Sequence, residues 1–143
     1  MEINNEVTLN EVIKKLSKFN YVNCIYLFGS QINKRARKDS DIDIAIITRN
    51  ATKSQELNIM GHSSNNIDIS LFNRLPLIIQ FRVLKEGKLV FCIDEKHLNE
   101  IKMNIFRKYL DYSPFINRFY RRIIENVWFA KNWKNYFRYR KIY

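Results

Sequence analysis

Two aspartates separated by one residue, Asp41 and Asp43, are the part of this sequence best suited to chemistry. The apolar run 41–47 around them predicts a strand, so both carboxylates point from one face, with Cα atoms roughly 6.5 Å apart. Like charges held this close among isoleucines are costly unless a cation neutralises them. Asp68, flanked by isoleucines in a later run, is the natural third ligand if its strand is a neighbour. Two divalent cations about 4 Å apart could then clamp the oxygens of a phosphoryl transfer.

A glycine and a serine, Gly29 and Ser30, follow the apolar run 22–28 and precede a polar, basic segment. Glycine lets the backbone approach an anion closely, and the free N–H groups of a helix start bind phosphate oxygens, to which Ser30 adds a hydroxyl. The basic residues that follow, as far as Lys38, form either a solvated loop or a group of which one or two stabilise charge on a triphosphate. One Gly-Ser pair is weak evidence, but ten residues before an Asp-x-Asp strand it is strong evidence of a phosphate-binding turn.

The elements that must position these residues alternate between strand and helix patterns, which predicts an α/β domain with a small mixed sheet flanked by helices. Residues 49–65 are weakly patterned and predict at best a short helix and a loop. The predicted strands are 22–28, 41–47, 66–72 and 89–93. One predicted helix begins at Thr8, with Glu11 completing a capping box. Another begins at Pro76 and ends near Gly87, and a third begins after Asp94 as its N-cap.

The end of the chain differs from the rest, so residues 1–112 are predicted as the catalytic domain and 113–143 as a helical extension of the same compact unit. Ser113 and Pro114 are expected to break the helix that Asp94 begins. From Pro114 onward eight basic residues face one acid, Glu125, which places +7 of the chain's net charge of +11 there, interleaved with aromatic residues. Two interpretations stay open: a helix packed on its own domain with its cations reaching solvent, or a surface for a partner or nucleic acid.

Composition excludes several other classes of protein. A hydrophobic fraction of 46% in 143 residues is enough for a packed core, which excludes a disordered chain. No apolar run is long enough to span a bilayer, and the polar start of the chain does not resemble a signal peptide, so a cytoplasmic protein without membrane contact is expected. Cys24 and Cys92 lie in apolar runs and are predicted to be buried thiols, not a disulfide or a zinc site.

The motif Leu27-Phe28-Gly29-Ser30, followed after ten residues by Asp41-Ile42-Asp43, resembles the signature of the DNA polymerase β-like nucleotidyltransferases. The small size and the Ile67-Asp68-Ile69 strand make residues 7–112 similar to the minimal nucleotidyltransferase (MNT) members of that superfamily. Many of these are antitoxins encoded beside HEPN-domain RNase toxins. The resemblance implies a nucleotidyltransferase fold and an ATP- and Mg²⁺-dependent transfer of AMP to a tyrosine of the toxin.

The resemblance also implies a role for individual residues. Gly29 and Ser30 would hold the triphosphate of ATP, with Lys38 as a further candidate for binding it. Asp41 and Asp43 would bind both Mg²⁺ ions, and Asp68 would bind one of them while helping to deprotonate the incoming hydroxyl.

Two other functions remain open at this stage. A non-catalytic antitoxin could neutralise its toxin by binding it with the aromatic tail, and a nucleotidyltransferase could act on RNA or on a small-molecule hydroxyl. The positive charge permits nucleic acid, although the toxin is the favoured partner. The sequence does not predict the oligomeric state.

Overall fold

A computed structural model describes residues 2–29 and 41–126. Within these ranges the chain forms four strands, four α-helices and one 3-10 turn, Phe72–Arg74. The helices are α1 (Glu2–Ser17), α2 (Lys53–Met60), α3 (Leu77–Glu86) and α4 (Glu95–Asn126), and the strands are β1 (Val22–Phe28), β2 (Ile42–Thr48), β3 (Ile67–Leu71) and β4 (Lys88–Cys92).

The four strands form one mixed sheet in the order β3-β2-β1-β4. β1 pairs antiparallel with both β2 and β4, whereas β2 and β3 are parallel. A parallel pair needs a crossover, and α2 supplies it. The predicted fold class, a small mixed sheet flanked by helices, is confirmed.

Each face of the sheet is covered by two helices, because strand residues alternate between two cores. On one face, Ile44 and Ile46 of β2 pack with α1 and α2 through Leu16 and Ile59. On the other face, Ala45 and Ile47 belong to the core that contains Val83 of α3 and the first turns of α4. The even residues 42, 44 and 46 therefore face α1 and α2, and Asp43 points to the α3 and α4 side.

The predicted cap of α4 is confirmed, and a buried asparagine holds it in place. Asp94 Oδ1 accepts a hydrogen bond from the backbone N–H of His97, and Oδ2 lies 2.7 Å from Nη1 of Arg49. These contacts lower the pKa of the Asp94 carboxyl, the His97 N–H being the larger cause. Asn23, which is 3% exposed, accepts from the Asp94 N–H and donates to the Asp94 carbonyl.

Replacing Asn23 by alanine is expected to destabilise the protein by about 1–3 kcal/mol, because at this buried position the Asp94 N–H loses its acceptor and the Asp94 carbonyl is left with the Leu98 N–H as donor. Urea unfolding followed by circular dichroism measures the change. Asn58→Ala is the matched control, since its amide donates to the Tyr21 hydroxyl at an exposed position. An equal loss in both variants would contradict the role given to Asn23.

Two predictions about helix ends are wrong. α1 begins at Glu2, so Thr8 lies inside the helix and is not its N-cap; no proline or glycine precedes Thr8 to stop the helix earlier. α4 also continues through Pro114 instead of breaking. Proline removes one N–H donor, and the Leu110 carbonyl that loses it accepts a hydrogen bond from Ser113 Oγ at 3.4 Å.

The two cysteines are free thiols that face each other across the β1–β4 pair. Their sulfur atoms are 2.9 Å apart, and Cys24 is fully buried while Cys92 is partly exposed. Burial, followed by the neighbouring thiol, raises the pKa of Cys24 far above its ordinary value. Cys24 is therefore a weak nucleophile. The predicted burial is confirmed for Cys24, whereas Cys92 is only partly buried.

The chain divides into two compact units, residues 1–106 and 107–143. The sheet and both cores belong to the first unit, and the second contains the part of α4 from Arg107 onward. The predicted boundary after residue 112 stays a prediction. In the described ranges, none of the helices has the length and apolarity needed to cross a membrane.

Candidate active site

Asp43 and Asp68 lie side by side on the two parallel strands. Asp43 is the second residue of β2, Asp68 is the second residue of β3, and the two are partners in the strand register. Side chains paired in this way project from the same face of the sheet. The sequence predicted Asp68 as a ligand only if its strand neighboured that of Asp43, and the two strands are neighbours.

Gly29 lies at the same end of the sheet, directly after β1, the strand that borders β2 on the side opposite β3. Its neighbour Phe28 is the register partner of Asp43 across the antiparallel β1–β2 pair. Gly29 has φ of 93°, a conformation that residues with a Cβ rarely adopt. A Cβ at Gly29 would overlap Oδ2 of Asp43 and lie 3.1 Å from its Cγ. The absent side chain is therefore what leaves room for the Asp43 carboxylate.

The Asp43 carboxyl is half-buried among like charges. Burial, and then the negative charges of Asp68 and Asp41, raise the pKa of Asp43 above its ordinary value. Asp68 and Asp41 are exposed, and Asp41 stands just before the first residue of β2. The site is thus one partly desolvated carboxylate beside two carboxylates open to solvent, an arrangement that a bound cation would stabilise.

Mg²⁺ takes oxygen ligands and is usually bound through one or two carboxylates together with waters and substrate phosphates. Burial and the neighbouring negative charges, which together raise the pKa of Asp43, would both be offset by such an ion. Within the described ranges, however, no three acidic, histidine or cysteine side chains are already arranged as a metal-binding group. The paired carboxylates fit a cation, and the set of three ligands stays a prediction.

Ser30 and Lys38 lie outside the described residues, as do the remaining cations of that segment. The contact between Gly29 and Asp43 was missed by sequence reasoning, which assigned the glycine to the phosphate alone. Only the pairing of β1 with β2 brings the two residues together, so the spacing of the motif was the one signal available.

Comparison with known protein families gives a match that includes the residues of this site. A family model described as polymerase beta nucleotidyltransferase matches residues 10–96, which include all four strands and the three aspartates. The chain belongs to the polymerase beta nucleotidyltransferases. The predicted family is confirmed, and so is the prediction that the protein is a nucleotidyltransferase enzyme.

Relatives of this nucleotidyltransferase include a Methanocaldococcus jannaschii protein provisionally named a protein adenylyltransferase. The two are 37% identical over 76 residues, which are 53% of this chain and 60% of that relative, so the match spans about three-fifths of the relative's length.

Solved structures of toxin–antitoxin complexes contain chains with the same fold. One is a chain of a toxin–antitoxin complex with AMP-PNP, at 17% identity and a TM-score of 0.58 over 80% of this chain and 97% of that chain. Another comes from the complex of a tri-AMPylated Shewanella oneidensis HEPN toxin with an MNT antitoxin. That match has 16% identity and a TM-score of 0.55 over 82% of this chain and 98% of the other. The nucleotidyltransferase domain is thus similar in fold to chains of HEPN–MNT pairs.

Proposed function

We propose that this nucleotidyltransferase is an antitoxin that transfers AMP from ATP to a tyrosine hydroxyl of a HEPN-type RNase toxin and so neutralises it. The observation that carries the proposal is the pairing of Asp43 with Asp68 at the sheet end closed by Gly29. The provisional name of the 37% identical relative supports a protein as acceptor of AMP. The fold shared with chains of HEPN–MNT complexes supports a toxin as that protein.

In the proposed reaction, the tyrosine oxygen attacks the α-phosphorus of ATP in line with the leaving group. A bond forms between the tyrosine oxygen and the α-phosphorus, and the bond from that phosphorus to the bridging oxygen breaks, releasing pyrophosphate. Asp68, exposed beside Asp43, helps to remove the proton of the tyrosine hydroxyl. Gly29 leaves room at the end of β1 for Asp43 and, with Ser30, holds the triphosphate.

Two Mg²⁺ ions are proposed as the cofactor, held by Asp41, Asp43 and Asp68. When bound, Mg²⁺ would neutralise charge on the phosphates and on the leaving pyrophosphate. Asp43 is the ligand that the fold itself positions, because burial and its two strand neighbours restrict its carboxylate. Asp41, outside the strand, and the exposed Asp68 complete the proposed set.

The test uses the full chain, MgCl₂, and the product of the neighbouring reading frame as acceptor. With ATP labelled at the α-phosphate, the acceptor is expected to become labelled; with ATP labelled at the γ-phosphate, it is not, because pyrophosphate leaves with that label. Peptide mapping should place the added AMP on a tyrosine, and changing that tyrosine to phenylalanine should remove the label. No transfer from α-labelled ATP to this acceptor would overturn the proposal.

The alternative, an antitoxin that acts only by binding, makes a different prediction in the same system. Neutralisation of the toxin would survive Asp41→Ala and Asp43→Ala but fail when the residues after 128 are deleted. If AMP transfer is the function, the two aspartate variants lose neutralisation, and the growth of cells that express both proteins measures the difference.

A further inference from the structure

Cys24 and Cys92 are the two cysteines of the chain, and the reaction proposed above uses neither of them. They are partners in the antiparallel register of β1 and β4, and their sulfur atoms are 2.9 Å apart. Both lie on the sheet face that α3 and α4 cover, since Cys24 belongs to that core and Cys92 packs against it. Two free thiols in contact, one from each strand, form a pair that oxidation could join.

The backbone pairing around the two cysteines fits a disulfide. Asn23 precedes Cys24 and Ile93 follows Cys92, and the Ile93 N–H donates to the Asn23 carbonyl opposite it at 2.9 Å. Hydrogen-bonded and non-hydrogen-bonded pairs alternate in an antiparallel ladder, so Cys24 and Cys92 are a non-hydrogen-bonded pair. In such pairs the Cα atoms are about 4.5 Å apart, and disulfides span Cα distances of roughly 4.4–6.8 Å. The bond therefore needs no separation of the strands.

The two thiols differ in their access to an oxidant. Cys24 is fully buried, whereas Cys92 is partly exposed. Burial, and then the adjacent Cys92, raise the pKa of Cys24, although the charge of Lys102 on α4 acts in the opposite direction. Oxidants react with exposed thiolates much faster than with buried thiols. Cys92 is therefore the sulfur that meets a small oxidant from solvent, and Cys24 is the second sulfur to react.

We propose that Cys24 and Cys92 are an oxidation site at which hydrogen peroxide joins β1 to β4 by a reversible disulfide. Cys92 Sγ attacks one oxygen of the peroxide: a sulfur–oxygen bond forms, the oxygen–oxygen bond breaks, and the leaving hydroxide takes up the Cys92 proton as water. Cys24 Sγ then attacks the sulfur of this sulfenic acid. A sulfur–sulfur bond forms, the sulfur–oxygen bond breaks, and a second water carries away the Cys24 proton. Two thiols lose two electrons, and one peroxide is reduced to two waters.

The disulfide would fasten a strand at the edge of the sheet. β4 pairs with β1 alone, and the register of the two strands is interrupted between Ile25 and Tyr26. β4 also leads into α4, whose N-cap Asp94 is held by Asn23. The new bond would join residues 68 apart in the chain, a separation at which a cross-link restricts the unfolded chain strongly. Oxidation is therefore expected to stabilise the fold.

The test treats the full chain with hydrogen peroxide alone and maps the peptides without reduction. Trypsin cuts the chain so that Cys24 lies in residues 19–34 and Cys92 in residues 89–96. A joined pair of these peptides is expected, lighter by two hydrogen atoms than their sum and lost after dithiothreitol. No joined pair, or cysteines joined only between two chains, would overturn the proposal. This measurement uses the wild type, so no variant has to fold.

Two variants test the order of the steps. In Cys24→Ala, the sulfenic acid on Cys92 has no second sulfur to react with, so dimedone should label Cys92. In Cys92→Ser, the buried Cys24 should be labelled at least about ten-fold more slowly. Circular dichroism checks that both variants stay folded. Equal labelling rates in the two variants would contradict the assigned order and the site built on it.

The effect on stability is measured by thermal unfolding. Peroxide treatment should raise Tm by about 5 °C or more, and dithiothreitol should reverse the rise. Cys92→Ser is the matched control, because it keeps all 3 methionines, which peroxide also oxidises, but cannot form the bond. A disulfide that lowers Tm would show that the native pairing does not fit it and would overturn the proposal.

The oxidation site is separate from the carboxylates. Cys24 is near the start of β1, whereas Asp43 pairs with Phe28 at the end of that strand. Asp43→Asn should therefore form the disulfide as the wild type does, so failure of the proposed AMP transfer would leave this result unchanged.

Discussion

Replacing Asp43 by asparagine is expected to reduce AMP transfer at least about 100-fold while the fold keeps or gains stability. Asparagine keeps the shape of the side chain but removes the negative charge, which the carboxylates of Asp68 and Asp41 repel. Because burial, Asp68 and Asp41 raise the pKa of Asp43, the ionised carboxylate is disfavoured in the folded chain. Transfer from α-labelled ATP measures the first effect, and thermal unfolding without divalent ions measures the second.

The pH dependence has a definite sign. A carboxyl whose pKa is raised on folding binds its proton more tightly in the native state, so metal-free wild-type protein should lose stability as pH rises from the ordinary aspartate pKa through the raised one. Asp43→Asn should lack this component. Asp111→Asn, an exposed aspartate of α4, controls for the loss of one negative charge elsewhere. A marked loss of stability in Asp43→Asn, or wild-type transfer by it, would contradict the assignment.

Gly29→Ala is expected to remove activity and to destabilise the fold by about 2–4 kcal/mol. Alanine is strained at φ of 93°, and its Cβ would overlap the Asp43 carboxylate. Either the backbone at the end of β1 or the Asp43 side chain must move, and both movements disturb the site. Urea unfolding and the transfer assay measure the two losses.

Gly61→Ala supplies the matched control. Gly61 has φ of −64° at the end of α2, and a Cβ there would meet nothing closer than 3.4 Å. Its stability should be unchanged or raised by about 0.4–1 kcal/mol. The double variant Gly29→Ala with Asp43→Ala should recover part of the stability lost by Gly29→Ala alone, because the overlapping carboxylate is gone. Full additivity would show that backbone strain alone accounts for the loss.

Most of the fold was predictable because its signals are local. The apolar runs define the four strands, and Asp94, Pro76 and Gly87 bound their helices as predicted. The helix start predicted at Thr8 and the helix break predicted at Pro114 were wrong. At both residues the helix extends past the local signal. At Pro114, a single hydrogen bond from Ser113 to the freed Leu110 carbonyl accompanies a helix that continues.

The sequence by itself determined which residue types stand at which strand positions, and therefore the carboxylate chemistry and the nucleotidyltransferase family. Only the tertiary structure decided that Asp43 pairs with Asp68 and that Gly29 abuts Asp43, because strand pairing joins residues far apart in the chain. The tertiary structure also decided which turns of α4 are buried. Helical periodicity shows which residues share a face of the helix, but it does not show what covers that face. Leu98, Ile101 and Ile105 pack in the core of the sheet, whereas Tyr112, Phe115 and Phe119 are exposed.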